Sequence, residues 1–151
     1  MSFEIKVVSN TPLIGETNPE NAAKTFFEQI GYLSRGSDPT IPYTLFAEYF
    51  IKHPTKAWFV EELSIQLDTS KPTVYRHLNK LKALDILEEI QVFDETTKQH
   101  RKAYRLRYGD LKKAWNFVEA HVKVAMENYG KTVEHLQNIM MKEQQRGKTD
   151  G

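Results

Sequence analysis

The stretch TSKPTVYRHLNKL, residues 69–81, decides how the rest of the chain is read. Val74, Leu78 and Leu81, continued by Leu84, recur at helical spacing and form one inward stripe. Ser70 or Thr69 stands where a helix cap belongs. Pro72 is tolerated behind it, because first-turn amides have no intrahelical partner. At 100° per residue from Val74, the outward side carries Pro72, Arg76, Asn79 and Ala83, flanked by Thr73, Tyr75 and Lys80. No Asp or Glu occurs from Thr69 to Ala83, in a chain of 151 residues that holds 20 acidic ones. A rigid helix with a cationic, acid-free outer face suits entry into a major groove about 12 Å wide.

The flanks agree with that reading. Upstream, a short helix over about 60–67 buries Val60, Leu63 and Leu67, with Trp58 and Phe59 packing beneath it, and LDTS turns the chain. Downstream, Asp85 is expected in a left-handed end position, which Asp tolerates better than most residues. The period then changes from helical to alternating. ILEEIQVFDE and RKAYRLRY surround a polar turn and read as a β-hairpin. Tyr104, Leu106 and Tyr108 share one face and Ala103, Arg105 and Arg107 the other, where the two arginines are expected to be solvated. Its tip is placed at Lys98 to Lys102. Glu61-Glu62 and Glu88-Glu89 read as solvated carboxylates.

Toward the N-terminus, Phe3 to Val7 alternates as a short strand, and TPLIGETNPEN is a loop. Asn18-Pro19-Glu20 opens a helix to about Leu33, with Asn as cap, Pro preset at the first turn and Glu favoured by the dipole. It buries Ala22, Ala23, Phe26, Phe27, Ile30 and Leu33. RGSDPTIP interrupts. A second helix, about Pro42 to Lys52, turns Leu45, Phe46, Tyr49 and Phe50 inward and ends at His53-Pro54. From Asp110 to about Gln145 a single long helix is expected, on the order of 50 Å. Leu111, Trp115, Val118, Val122, Ala125, Tyr129, Thr132, Leu136 and Ile139 follow a heptad seam along it, with Val133 and Met140 widening the stripe. Such a face exceeds what a domain of this size can cover, so the seam residues Leu111, Trp115, Val118, Val122, Tyr129, Leu136 and Ile139 are assigned to homodimerisation. Residues 146–151 read as a disordered tail.

The run VEELSIQLDTSKPTVYRHLNKLKALDILEE resembles the winged helix-turn-helix of ArsR/MarR-type transcriptional regulators of bacteria and archaea. The resemblance spans about residues 42–108. It departs from the usual pattern at Asp68 and Asp85, where glycine is usual, at Ser64, where alanine is usual, and at Thr69, where an aliphatic residue is usual. It implies a mainly α fold with a small β-hairpin wing, a winged helix-turn-helix domain plus a long C-terminal dimerisation helix. It also implies that Ser70, Lys71, Thr73, Tyr75, Arg76 and Lys80 contact DNA. By chemistry, Ser70 and the first-turn amides suit a phosphate, Thr73 and Arg76 base edges, Asn79 a base or a backbone oxygen, and Lys80 a phosphate. Lys98, His100, Arg101 and Lys102 of the wing are placed along the flanking backbone or minor groove.

Composition bounds the alternatives. Net charge is only +1, yet residues 68–107 hold nine basic and six acidic side chains, whereas residues 1–67 hold five and eight. There is no cysteine, hence no disulfide framework or thiolate metal site. The five histidines, at 53, 77, 100, 121 and 135, lack metal-ligand spacing. His77 reads as a packed side chain flanking the core. No catalytic site, metal or cofactor is expected. No run approaches a membrane span and the N-terminus lacks signal-peptide features, so a soluble, cytoplasmic protein is expected.

The expected organisation is 1–41 as a dimer-supporting strand and helix, 42–108 as the DNA-binding domain with recognition helix 70–84 and wing 94–102, 109–145 as the dimerisation helix, and 146–151 as tail. The partners expected are a palindromic double-stranded DNA site and a second copy. A small-molecule effector could sit among the aromatics Phe26, Phe27, Tyr32, Phe46, Tyr49 and Phe50, which otherwise read as core. The rival is a winged helix used for protein contacts within a transcription or replication assembly.

Overall fold

A computed structural model describes residues 14–33 and 38–149. The expected strand at Phe3 to Val7 lies outside them, as does part of the interruption after the first helix. The described residues fall into two compact units divided between Trp115 and Asn116.

In the first unit, α1 (Pro19–Gln29) starts as the sequence predicts, with Asn18 Oδ1 accepting from the amides of Glu20 and Asn21 at 2.9 and 3.1 Å. It ends sooner than expected. Gly31 takes φ +75°, and the amides of Tyr32 and Leu33 fold back onto the Phe27 carbonyl, a left-handed glycine stop that satisfies a terminal carbonyl. Helix α2 (Thr40–Tyr43) runs into a π-helical segment, Thr44–Ile51. Its wider turn shows at the end, where the Lys52 amide bonds five residues back to Ala47 O at 3.1 Å. Apolar spacing alone does not distinguish this winding from an α-helix.

Helices α3 (Val60–Gln66) and α4 (Lys71–Ala83) form the helix-turn-helix. Asp68 closes the turn at φ +48°, and Asp85 ends α4 at φ +62° as expected, so aspartate holds both left-handed positions. Ser64 has a purpose alanine lacks, since its hydroxyl donates to the Thr69 carbonyl at 2.6 Å across the turn. Val74, Leu78 and Leu81 are fully buried, as are Leu63 of α3 and Phe27, Leu45 and Phe50 of the preceding elements. Fully burying each such side chain stabilises the fold by roughly 1.5–3 kcal/mol.

Strands β1 (Leu87–Asp94) and β2 (Gln99–Leu106) make the antiparallel wing, in the register Leu87↔Leu106 to Asp94↔Gln99. Two expectations change here, and one contact is added. The tip is Glu95 to Lys98, with Lys98 at φ +57°, while Gln99 to Lys102 belong to β2. Tyr108 leaves the strand face in a 3-10 turn, Arg107–Gly109, and is exposed. Trp58 adds an isolated bridge to β2: it is buried and exchanges backbone hydrogen bonds with Tyr104 at 2.8 and 2.9 Å. The wing thus gains a pairing partner from the segment before α3.

Helix α5 (Leu111–Thr149) crosses from the first unit into the second and runs unbroken through Gly130. Asp110 starts it, accepting from the Lys113 amide at 2.9 Å. Helical structure continues to Thr149, past the expected start of a disordered tail at residue 146.

Candidate nucleic-acid interface

The site is built on α4. Ser70 adopts extended backbone and its Oγ accepts from the Thr73 amide at 3.3 Å, lying 2.9 Å from the Thr73 hydroxyl. The Ser70 hydroxyl is thus the helix cap that the sequence offered. Beyond it, Lys71, Pro72, Tyr75, Arg76, Asn79 and Lys80 are exposed and Thr73 is half-buried. The leucine stripe behind fixes the helix, so the outward residues are presented on a rigid element. Among the described residues Arg76 has no ion pair. Lys80 lies 5.3 Å over the Tyr32 ring, a cation–π contact that leaves its charge uncompensated.

His77 is 8% exposed and hydrogen-bonded through Nδ1 to the Tyr32 hydroxyl at 2.6 Å. Burial, then Arg76 and Lys80, lower its pKa to about 4. It is neutral at pH 7, and it ties the segment after α1 to the back of α4. Burial raises the Tyr32 phenol well above its ordinary value, partly offset by Arg76.

The wing differs. Lys98 is exposed in the turn, and His100 stands edge-on to Phe93 at 5.4 Å. Lys102 pairs with Glu89 at 3.3 Å, and Lys82 pairs with the same carboxylate. Hydrogen bonds from Lys82 and then Lys102 lower the Glu89 pKa. Arg105 grips Glu88 at 2.6 Å, and Arg107 pairs with Asp85 at 3.3 Å. Neither arginine is the solvated side chain expected. Arg101, expected on the DNA backbone, pairs with Asp94 at 2.7 Å and with Glu61 at 2.5 Å, and lies 4.6 Å over the Phe59 ring. Glu61 also lies 3.9 Å from Lys71, and Glu62 accepts from the Phe59 amide at 3.1 Å. The carboxylates read as solvated are therefore engaged.

Of the seam residues, Trp115 packs edge-on against Phe26 at 5.7 Å, Val118 is buried, and Leu111 and Val122 are half-buried. Tyr129, Leu136 and Ile139 are exposed, with Met126, Val133 and Met140. Val122, Met126, Tyr129, Val133, Leu136 and Met140 occupy an arc of about 80° at 100° per residue. This stripe is more continuous than the heptad line through Ala125 and Thr132, because a straight α-helix drifts relative to a seven-residue repeat. Of the aromatic rings of the first elements, Phe26, Phe27 and Phe46 pack within 5.4–6.2 Å of one another.

Among the described residues no three His, Cys, Asp or Glu side chains are grouped to hold a metal ion, and no helix is long and apolar enough to cross a membrane. No protein-family model and no curated protein matches the chain. Among solved structures, a possible transcriptional regulator from Methanosarcina mazei Go1 is similar at 17% identity and a TM-score of 0.47, over 76% of this chain and 88% of that one. A likeness that distant carries no argument about function.

Proposed function

We propose that the protein is a sequence-specific double-stranded DNA-binding regulator of transcription that acts as a homodimer. The observation that carries this reading is the outer face of α4. Arg76 and Asn79 stand exposed with no carboxylate partner among the described residues, on a helix whose other face is buried at Val74, Leu78 and Leu81. An arginine that is neither paired nor covered is available for the two acceptors of guanine, and Asn79 and Thr73 supply further groups for base edges. Lys71, Lys80 and the wing-tip Lys98 are phosphate contacts, which position the helix without reading sequence.

The dimer reading rests on the apolar stripe of α5 between Val122 and Met140, whose members from Met126 onward are exposed. A second copy would cover it, and a two-fold arrangement calls for a palindromic site with half-sites about one DNA turn apart. Binding of mixed genomic duplex fragments to the full chain, read by gel shift at two salt concentrations, tests the proposal. Retained fragments should share a palindrome and affinity should fall with salt. No duplex binding at low salt overturns it.

The rival, a winged helix for protein contacts, draws support from the compensated charges of the wing. It requires that Arg76→Ala leave duplex affinity unchanged.

A further inference from the structure

Arg101 stands on β2 where a wing cation would be expected to meet the DNA backbone, yet its surroundings give it other work. One guanidinium nitrogen donates to Asp94 of β1 at 2.7 Å, the other to Glu61 of α3 at 2.5 Å, and the group lies over Phe59, the residue before α3. Two carboxylates already surround the single positive charge. A phosphate approaching the same group would have to displace one of them and meet the other as a like charge. Glu61 in turn lies 3.9 Å from Lys71, the first residue of α4. One carboxylate thus connects three elements: α3, the start of the recognition helix, and the wing.

We infer that Glu61 and Arg101 form a clamp that sets the position of the wing against the helix-turn-helix, and that Arg101 acts on DNA only through that clamp, as a positioning residue. The hairpin has one ladder between its strands, and its tip, Glu95 to Lys98, extends past the Trp58 bridge. Arg101 binds the outer part of the hairpin to α3. A wing so held presents Lys98 at a constant distance from Arg76; a released wing presents it over a range. Side-chain hydrogen bonds from Arg101 also hold the Asp94 carboxyl below its ordinary value, in keeping with the pairing.

The inference deepens the DNA-binding reading and rests on it for one of the two arms of its test. In the first arm, hydrogen exchange of the full chain without DNA is compared for the native protein, Arg101→Gln, Glu61→Gln and Arg105→Gln. The clamp requires that Arg101→Gln and Glu61→Gln each speed exchange of the outer ladder amides, residues 91–94 and 99–102, by about fivefold, or ~1 kcal/mol of local opening, with α4 amides and the unfolding midpoint unchanged. Arg105→Gln should leave those amides alone, and Arg101→Lys should restore part of the protection. In the second arm the same variants are titrated onto the retained duplex. The two ideas differ in sign at Glu61. If Arg101 touches phosphate directly, Glu61→Gln removes a competing acid and tightens binding. If Arg101 is a clamp, Glu61→Gln weakens binding about as much as Arg101→Gln, and the double variant is no worse than either.

Unchanged exchange in either clamp variant, or unchanged or tighter duplex binding by Glu61→Gln, overturns the inference. Should the native chain bind no duplex, the DNA reading fails alone, and the exchange arm still decides the clamp.

Discussion

Helix α4 and the wing carry the same number of cations and leave different shares of them unpaired. Helix α4 holds Lys71, Arg76, Lys80 and Lys82; the hairpin holds Lys98, Arg101, Lys102 and Arg105. On α4, Arg76 and Lys80 have no carboxylate partner among the described residues, while Lys71 and Lys82 pair with Glu61 and Glu89 of other elements. On the hairpin only Lys98 is in that position, and the other three are ion-paired. The difference comes from geometry. A helix brings residues i±3 and i±4 together, and α4 has no acid to offer at any of those steps. A hairpin sets residues of two strands face to face, and its register puts Glu88 opposite Arg105, with Asp94 and Glu89 diagonal to Arg101 and Lys102. Counting positive charges overestimates the uncompensated charge of the wing, and the low net charge of the chain underestimates that of α4.

That contrast is most severely tested by removing what holds the ridge. Leu78→Ala opens a cavity behind Arg76 and should cost about 2–5 kcal/mol in urea unfolding; a cost below about 1 kcal/mol would mean that the leucine stripe does not hold the helix in place.

The next largest effect concerns pH. His77 is lowered from 6.5 to about 4 in the folded chain, so between those values the unfolded state binds more protons. Stability is full above pH 6.5 and falls as pH drops through that window, by roughly 3 kcal/mol in total. His77→Leu lowers stability at pH 7 but should flatten this part of the profile. Identical slopes for the variant and the native protein between pH 6.5 and 5 would show that His77 is not the group responsible.

Arg76→Ala should weaken the preferred duplex by ~1–3 kcal/mol and leave random duplex less affected; an equal loss on both would make Arg76 a phosphate contact. The smallest effects separate the wing cations from each other. Lys98→Gln should reduce the slope of log K against log salt by about 0.9 for each phosphate it no longer neutralises. Arg105→Gln should change affinity less than about twofold, because its charge is already balanced by Glu88, and exposed pairs of this kind contribute 0–1 kcal/mol. A slope change for Arg105 as large as for Lys98 would erase the distinction between paired and unpaired wing cations.

Much of the fold was legible because it is local. Asn18-Pro19-Glu20 caps α1, Val74, Leu78, Leu81 and Leu84 line the back of α4, and Asp85 ends it left-handed, each read from residues within one or two turns of each other. The alternation of RKAYRLRY gives the strand but not its limits, since Gln99 to Lys102 read as tip and Tyr108 as part of a strand face that it leaves. The candidate interface was legible only in part. Exposure of Arg76, Asn79 and Lys80 follows from helical period. The engagement of Arg101 does not, because Glu61 lies 40 residues away in sequence. Tyr32 and His77, 45 residues apart, meet with no local signal, and Trp58 and Tyr104 pair across a comparable gap.

Short-range order in this chain was therefore decided by the sequence itself: where helices begin, which face of each is apolar, where the period turns to that of a strand, and that α4 bears cations without acids. Tertiary structure alone decided which charges remain available. Charge availability depends on whether an opposite charge lies within a few ångströms, and a pattern that repeats every two or four residues holds no information about a partner brought back by the fold from forty residues away.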